Sequence, residues 1–256
     1  MDRGTWLGIL LGLTLLGVAI GIGPNPRIFL HPASMIVVFG GIIASTLIRF
    51  PLASVLSALQ IASHAFLPVK RTPDVAVMEL VGLSQRARRD SLKNLEQHLP
   101  DDTFLANGLQ MVIDRVDRDY IRDVLTQELH ATQERHALGQ EIFRFIAASA
   151  PSFGMVGTLI GMVQLFGSMQ DPKGGAGAMA LSLLSTLYGA VVAYLFALPI
   201  SGKLELRSKE EIQIKHLQMD GILGIAGEMN PGSLEEMLNA HLAPNMKVRR
   251  QVGSRG

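Results

Sequence analysis

Four stretches of this 256-residue chain are apolar almost without interruption, and the remainder is amphipathic or charged. They cover residues 4–22, 33–48, 145–168 and 176–201. A helix rising about 1.5 Å per residue needs roughly 20 mostly apolar residues to cross the hydrocarbon of a bilayer, so each stretch predicts a spanning helix. A secretory signal is the competing reading of the first, with Arg3 as its charged flank. Its apolar run is long and no small-x-small cleavage site closes it, which favours a retained span. Outside the four, the apolar positions recur every three or four residues. That spacing predicts helices over 75–99, 102–116 and 119–148, the last continuous with the third span, and over 203–230. Pro100-Asp101-Asp102 breaks the first of these, and Asn230-Pro231-Gly232 ends the last before a short helix from Ser233. No segment alternates as a strand does. The predicted fold class is all-α: a polytopic membrane protein with four transmembrane helices, a large helical cytoplasmic loop between helices 2 and 3, and a helical cytoplasmic tail.

Orientation follows from lysine and arginine. Only Arg27 lies between the first two stretches and only Lys173 between the last two, whereas 49–144 and the residues after Ser201 hold nearly all the others. Positive loops stay inside, so both charged regions and both termini are predicted to be cytoplasmic. The organisation read from the chain is a transmembrane hairpin (1–49), a cytoplasmic loop (50–143), a second, channel-lining hairpin (144–202) and cytoplasmic C-terminal helices and tail (203–256), in what the resemblance below makes a bacterial inner membrane.

Composition agrees: 48% of residues are hydrophobic and 18% charged. A net charge of +1 argues against nucleic-acid binding through excess positive charge, and the absence of cysteine excludes disulfides, thiolate catalysis and cysteine metal sites. Within the four spans there is no Asp, Glu, Lys, Arg or His. Proton relays across membranes are built from such groups, so this chain cannot carry a proton by its own titration. A conducting role requires a carboxylate from a partner, or hydroxyls and water alone.

Hydroxyls are what the spans retain. Thr158 and Gln164 lie on the third, and Ser182, Ser185 and Thr186 on the fourth, with Ser182 and Thr186 one turn apart on a single face. Each hydroxyl alone reads as a bond back to the i−4 carbonyl or as interhelical glue. Collected on two consecutive spans, they also suit the wall of an ion path, Thr158, Ser182, Ser185 and Thr186 replacing part of a hydration shell. Gly8/Gly12, Gly17/Gly21 and Gly157/Gly161 have the small-xxx-small spacing that permits close helix approach, within a subunit or between subunits. Pro151 and Pro199 each free a backbone carbonyl at similar depth, as a conformational hinge or as simple helix ends. The pair His130 and His136 with Glu134 lacks a third convergent ligand, and the glycines of "GGAGA" have no following Lys-Ser or Lys-Thr and no preceding strand, so neither a metal site nor a phosphate loop is predicted. His31 reads as a solvated turn residue ahead of a pH-sensitive mouth group.

Several of these motifs occur together in one family. "APSFGMVGTLIGMVQLF", "MQDPK", "LLSTLYGAVVAYLFALPISGKL" and "MDGILGI", with "GILLGLTLLGVAIGIG", "HPASMIVVFGG", "RARRDSLKNLE" and "ERHALG" upstream in order, resemble the flagellar-motor stator A subunits of the MotA and PomA type, within the wider group that includes TolQ and ExbB. The resemblance covers essentially the whole chain. It implies a non-enzymatic ion-channel subunit without cofactor. Five copies would ring a B subunit of the MotB or PomB type, which supplies the ion-binding Asp and a peptidoglycan anchor, and ion flow would drive the rotor protein FliG. It also assigns rotor contact to Arg88, Arg89 and Glu96; the bare sequence reads Arg86, Arg88, Arg89 and Glu96 as one predicted helix face. Thr158 and Thr186 match threonines of sodium-driven relatives, so the expected ion is Na⁺, with H⁺ as the alternative, whereas His31 and Ala148 stand where the PomA type carries acids. A TolQ- or ExbB-like energiser of an envelope complex is the rival function, disfavoured by the extra N-terminal hairpin. A membrane-anchored scaffold or enzyme is the other, and the loop offers it no catalytic arrangement.

Overall fold

The computed structural model of the chain describes residues 3–65, 72–90, 92–168 and 172–242. The predicted turn residues at 169–171 and the tail beyond 242 lie outside these. Among the described residues every element is helical. The helices are α1 (Arg3–Gly21), α2 (Pro32–Met35), α3 (Gly41–Arg49), α4 (Leu52–Ala65), α5 (Pro73–Asp90), α6 (Leu92–Leu95), α7 (Thr103–Ile113), α8 (Arg118–Gly167), α9 (Pro172–Val191), α10 (Leu198–Ala226) and α11 (Pro231–Asn239). Two π-helical segments, Ile36–Gly40 and Val192–Ala197, interrupt the second and fourth apolar stretches. Among the described residues, three helical runs, Pro26–Arg49, Arg118–Gly167 and Gly174–Ala226, are long and apolar enough to cross a membrane; Leu7–Gly21 is a shorter apolar helix.

The chain divides into two compact units, one drawn from Met1–Pro68 and Arg135–Arg207, the other from Val69–Glu134 and Ser208–Gly256. The first holds the apolar stretches. Large side chains such as Leu10, Ile22, Leu159 and Val163 are exposed there, the distribution expected where lipid or neighbouring subunits replace water. Its buried clusters are small: Val38, Ile42, Ala150 and Ala193 in one, and Phe50, Ala58, Ile142, Phe143 and Leu204 in another. Arg49 lies over the rings of Phe50 and Phe145 and pairs with Glu141 at 2.6 Å. The guanidinium itself thus lies over the aromatic cluster as a cation–π contact while remaining half-exposed beside Glu141.

The second unit has an ordinary water-excluding core, in which Leu80, Phe104, Leu105, Leu109, Ile121, Leu217, Ile222, Leu234 and Leu238 are fully buried. The helix predicted over 75–99 does not stay α-helical to its end. It is described as helix over Pro73–Asp90 and Leu92–Leu95, and residues 96–98 tighten into a 3₁₀ turn. Leu99 then becomes extended (ψ 137°), because Pro100 disfavours the helical conformation of the residue before it. Asp102, read from the sequence as part of a breaker, is the N-cap of α7: Oδ1 accepts from the N–H groups of Phe104 and Leu105 at 3.0 and 3.2 Å. Its Oδ2 accepts from Nε2 of the buried Gln218 at 3.0 Å. Asp102→Ala removes the cap and leaves that amide without this acceptor, so the unfolding free energy should fall by about 2–4 kcal/mol. Denaturant unfolding of the detergent-solubilised chain measures it, and a loss below about 0.5 kcal/mol would refute the account. The last helix begins at Pro231 rather than Ser233, since proline is preset for the first helical position and Asn230 caps it.

Candidate functional site

The helix α8 lies against α9 through small residues. On α8, Gly154, Gly157 and Gly161 are buried against α9. A Cβ on Gly154 would lie 3.0 Å from the carbonyl oxygen of Ser185, and one on Gly161 2.6 Å from that of Ala178. Gly189 of α9 reciprocates, its absent Cβ 2.5 Å from the Ala150 carbonyl oxygen. The two backbones are in contact, an approach only glycine allows.

Because the backbones touch, short side chains reach across. Thr158 Oγ1 is 3.1 Å from the Ser182 carbonyl oxygen, and Ser182 Oγ is 3.1 Å from that of Thr158. Thr158 Oγ1 and Thr186 Oγ1 are 2.6 Å apart, one donating to the other. Thr158 Oγ1 also stands 3.1 Å from the Gly154 carbonyl oxygen, and Thr186 Oγ1 3.4 Å from that of Ser182. A hydroxyl has one proton and two lone pairs, so this knot of oxygens holds more acceptors than protons. Such a group can present lone pairs to a cation.

The four hydroxyls read as one ion-path set do not share one environment. Ser185 is fully buried, donates to the Leu181 carbonyl at 2.6 Å and faces Gly157; Ser182 is buried against Gly161. Both fill the helix seam. Thr158 is half-buried and Thr186 exposed, at the edge of that seam. Gln164, also on span three, is exposed.

Neither proline ends a helix. Pro151 lies inside the unbroken α8, and Pro199 lies within α10 directly after the π segment 192–197. The two breaks are therefore unlike. Proline lacks an N–H for the preceding turn, and at Pro199 that turn is the widened one. Arg88 and Arg89 lie exposed in the last turn of α5 and Glu96 opens a 3₁₀ turn, so the expectation that one α-helix carries all three is corrected: α-helical geometry does not extend to Glu96. Arg88 donates to the Glu228 carbonyl at 3.3 Å, where Glu228 holds a left-handed conformation (φ 51°) after α10.

His31 is not a solvated turn residue. It is half-buried and caps α2, its Nδ1 accepting from Ser34 N–H at 3.3 Å, while Ser34 Oγ donates to the Leu181 carbonyl. Tyr188 completes this end: its hydroxyl donates to the Phe29 carbonyl and accepts from His31 N–H. Sequence reasoning passed over Tyr188, although a phenol within an apolar stretch needs a polar partner and so marks a contact.

An all-helical fold with long apolar helices and a glycine-packed, hydroxyl-bearing seam defines an integral membrane protein whose polar groups gather at one helix pair. Residues 96–216 match the MotA/TolQ/ExbB proton channel family. Chemotaxis protein PomA of Vibrio alginolyticus is 34% identical over 242 residues, covering 94% of this chain and 96% of that protein. The flagellar MotAB stator complex of Bacillus subtilis contains a chain with a TM-score of 0.86 at 26% identity, over 95% of this chain and 97% of that one. C. jejuni MotAB gives a TM-score of 0.88 at 23% identity over 98% of this chain and 100% of that one, a likeness of fold. The chain belongs to the MotA/TolQ/ExbB proton channel family, a family of ion-channel subunits rather than of enzymes.

Proposed function

We propose that this chain is the ion-conducting A subunit of a flagellar-motor stator, working in the inner membrane with a B subunit of the MotB type. The single observation that carries the reading is relationship over nearly the full length, to PomA in sequence and to the chain of a MotAB stator complex in fold. The lack of titratable groups in the spans is its chemical counterpart: the carboxylate that binds the ion belongs to the B subunit, and this chain supplies the wall. Four spans with both termini cytoplasmic follow from the lysine and arginine distribution. Five copies form the ring, and a ring that turns around an anchored partner acts on FliG through the 50–143 region.

Na⁺ is the ion we favour. Thr158 Oγ1, Thr186 Oγ1 and the Ser182 carbonyl form a compact oxygen group beside the seam, and hard cations take oxygen ligands of this kind. Ser182 and Ser185 hold the helices that carry it, and the widened turn before Pro199, together with Pro151 on α8, is the hinge of the working cycle. The test is swimming speed of a stator-deleted cell carrying this chain and its neighbouring B subunit, with Na⁺ titrated at fixed pH and then repeated with a protonophore. Speed that rises with Na⁺ and survives the protonophore is expected. Indifference to Na⁺ with loss under protonophore would reverse the ion assignment while leaving the stator role. Absence of motility despite membrane insertion would favour an energiser of the TolQ or ExbB kind.

Arg88, Arg89 and Glu96 are the rotor-facing charges in this reading. Single exposed pairs contribute about 0–1 kcal/mol each, which suits contacts made and broken at every step. Arg88→Glu with Glu96→Lys should reduce swimming to a small fraction of the parent with membrane content unchanged. Undiminished swimming would remove the assignment. Arg89→Glu, at a position without the Arg88 link to the Glu228 carbonyl, separates lost rotor contact from local loosening of the fold.

A further inference from the structure

Among the described residues, two that are not glycine hold a left-handed backbone: Arg115 (φ 56°) and Glu228 (φ 51°). Each occupies the same place in the same motif. After α7, the Arg115 N–H donates to the Val112 carbonyl at 3.1 Å and the Val116 N–H to that of Met111 at 3.0 Å. After α10, the Glu228 N–H donates to the Ile225 carbonyl at 3.0 Å and the Met229 N–H to that of Gly224 at 2.9 Å. This pair of bonds closes a helix through one left-handed residue, ordinarily glycine because a Cβ is disfavoured there. Val116 and Met229, which follow, are half-buried against the core, whereas Arg115 and Glu228 are exposed. At the second turn a glycine is one residue away: Gly227 precedes Glu228 and does not take the positive φ. Neither turn needs its charge, and a charge kept at an exposed position against backbone preference points to function.

The two turns lie at one end of their unit. The guanidinium carbon of Arg118, the first residue of α8, is 3.6 Å from where a Cβ on Gly227 would stand, and Arg88 in the last turn of α5 donates to the Glu228 carbonyl at 3.3 Å. Arg115 precedes Arg118 by one short turn. The acids of this stretch are engaged: Asp117 Oδ2 accepts from the Asp119 N–H at 3.0 Å, Asp119 pairs with Arg122 at 2.6 Å, and Asp114 accepts from Gln110 at 3.1 Å. Arg88, Arg89, Arg115, Arg118 and Glu228 are exposed together there. We propose that Arg115 and Glu228 are contact charges for the rotor protein, held out by their left-handed turns beside Arg88 and Arg89, with Arg115 meeting an acidic side chain and Glu228 a basic one. This rests on the stator role of the chain and extends its rotor-facing surface from the end of α5 to the ends of α7 and α10. The opposite sign of Glu228 supplies register, since a rotor face displaced along this surface would bring like charges together.

Arg115→Gly and Glu228→Gly separate backbone from contact, because glycine suits the left-handed turn and carries no charge. In the detergent-solubilised full-length chain each should hold or raise the thermal midpoint. In a stator-deleted cell with the neighbouring B subunit each should lower swimming speed about two- to fivefold, the factor that one exposed charge pair contributes to a contact. A photoreactive residue at 115 or 228 in the same cells should cross-link to FliG, as should one at 88. One in place of His130, about 18 Å along α8 from Arg118, should not. Undiminished swimming in either glycine variant, a midpoint that falls together with the speed, equal cross-linking from position 130, or FliG adducts from position 88 but not from 115 and 228 would each overturn the assignment. FliG adducts from none of 88, 115 and 228, with the chain in the membrane, would overturn the stator reading itself.

Discussion

Gly161→Leu is expected to disable the protein, with a loss of more than about 3 kcal/mol in the stability of the α8–α9 pair and no swimming in a stator-deleted cell. Its Cβ alone would stand 2.6 Å from the Ala178 carbonyl oxygen and 2.7 Å from the Ser182 amide nitrogen. Both are backbone atoms, so no side chain can rotate aside. The helices must separate, and the reciprocal bonds between Thr158 and Ser182, each 3.1 Å, are lost with the contact. Gly17→Leu is the control, because nothing lies within 4 Å of that position and a leucine is a better helix former than glycine. Thermal unfolding of the detergent-solubilised chain reads both. Wild-type stability in Gly161→Leu would show that the seam is not held by backbone contact.

That contrast also marks how far the sequence can be read. Three small-xxx-small pairs look alike as strings, yet Gly157 and Gly161 meet Ser185 and Ser182, Gly12 meets Leu195, and Gly8, Gly17 and Gly21 meet nothing within 4 Å. Spacing states which residues share a face; it does not state what that face touches. The long amphipathic and apolar runs are legible because helix periodicity is repeated many times over, which is why α8 is found continuous through Pro151 as its pattern predicts. The 3₁₀ turn at Glu96–His98 has one local signal, Pro100, and the burial of Leu95 in the core around Leu80 and Phe104 is a tertiary contact that spacing does not state. Asp102 had a local signal, an aspartate directly before Thr-Phe-Leu at a helix start, but its second bond to Gln218 joins residues far apart in the chain. The π segments had no sequence signal beyond Pro199 after one and the Gly40-Gly41 pair in the other. At Gly41 the missing Cβ admits the Phe153 ring, so glycine there serves packing. The same distinction applies to the hydroxyls. Their spacing brought four together as one set, and burial divides them into two that hold helices and two at an edge.

The second large effect concerns that edge. Thr158→Ala is expected to abolish Na⁺-dependent swimming or to raise the Na⁺ needed for half-maximal speed at least about tenfold, equivalent to about 1.4 kcal/mol of lost ion affinity. The methyl removes the oxygen that lies 2.6 Å from Thr186 Oγ1 and 3.1 Å from the Ser182 carbonyl, leaving Thr186 with its longer 3.4 Å contact to that carbonyl. The fold loses little, because Ser182 and Ser185 keep their own bonds within the seam. Thr158→Ser keeps the hydroxyl and should retain most of the response; this separates ligation from packing, since serine lacks the threonine methyl. If Thr158 and Thr186 act as one oxygen group, Thr186→Val should impair swimming by a similar factor and the double variant should be scarcely worse than either single one, a non-additivity that independent roles would not produce. Equal loss in Thr158→Ser and Thr158→Ala would assign the residue to packing. An undiminished Na⁺ response in Thr158→Ala would sink the sodium assignment, because the wall would then conduct without the one hydroxyl that joins the third span to the fourth at the edge of the seam.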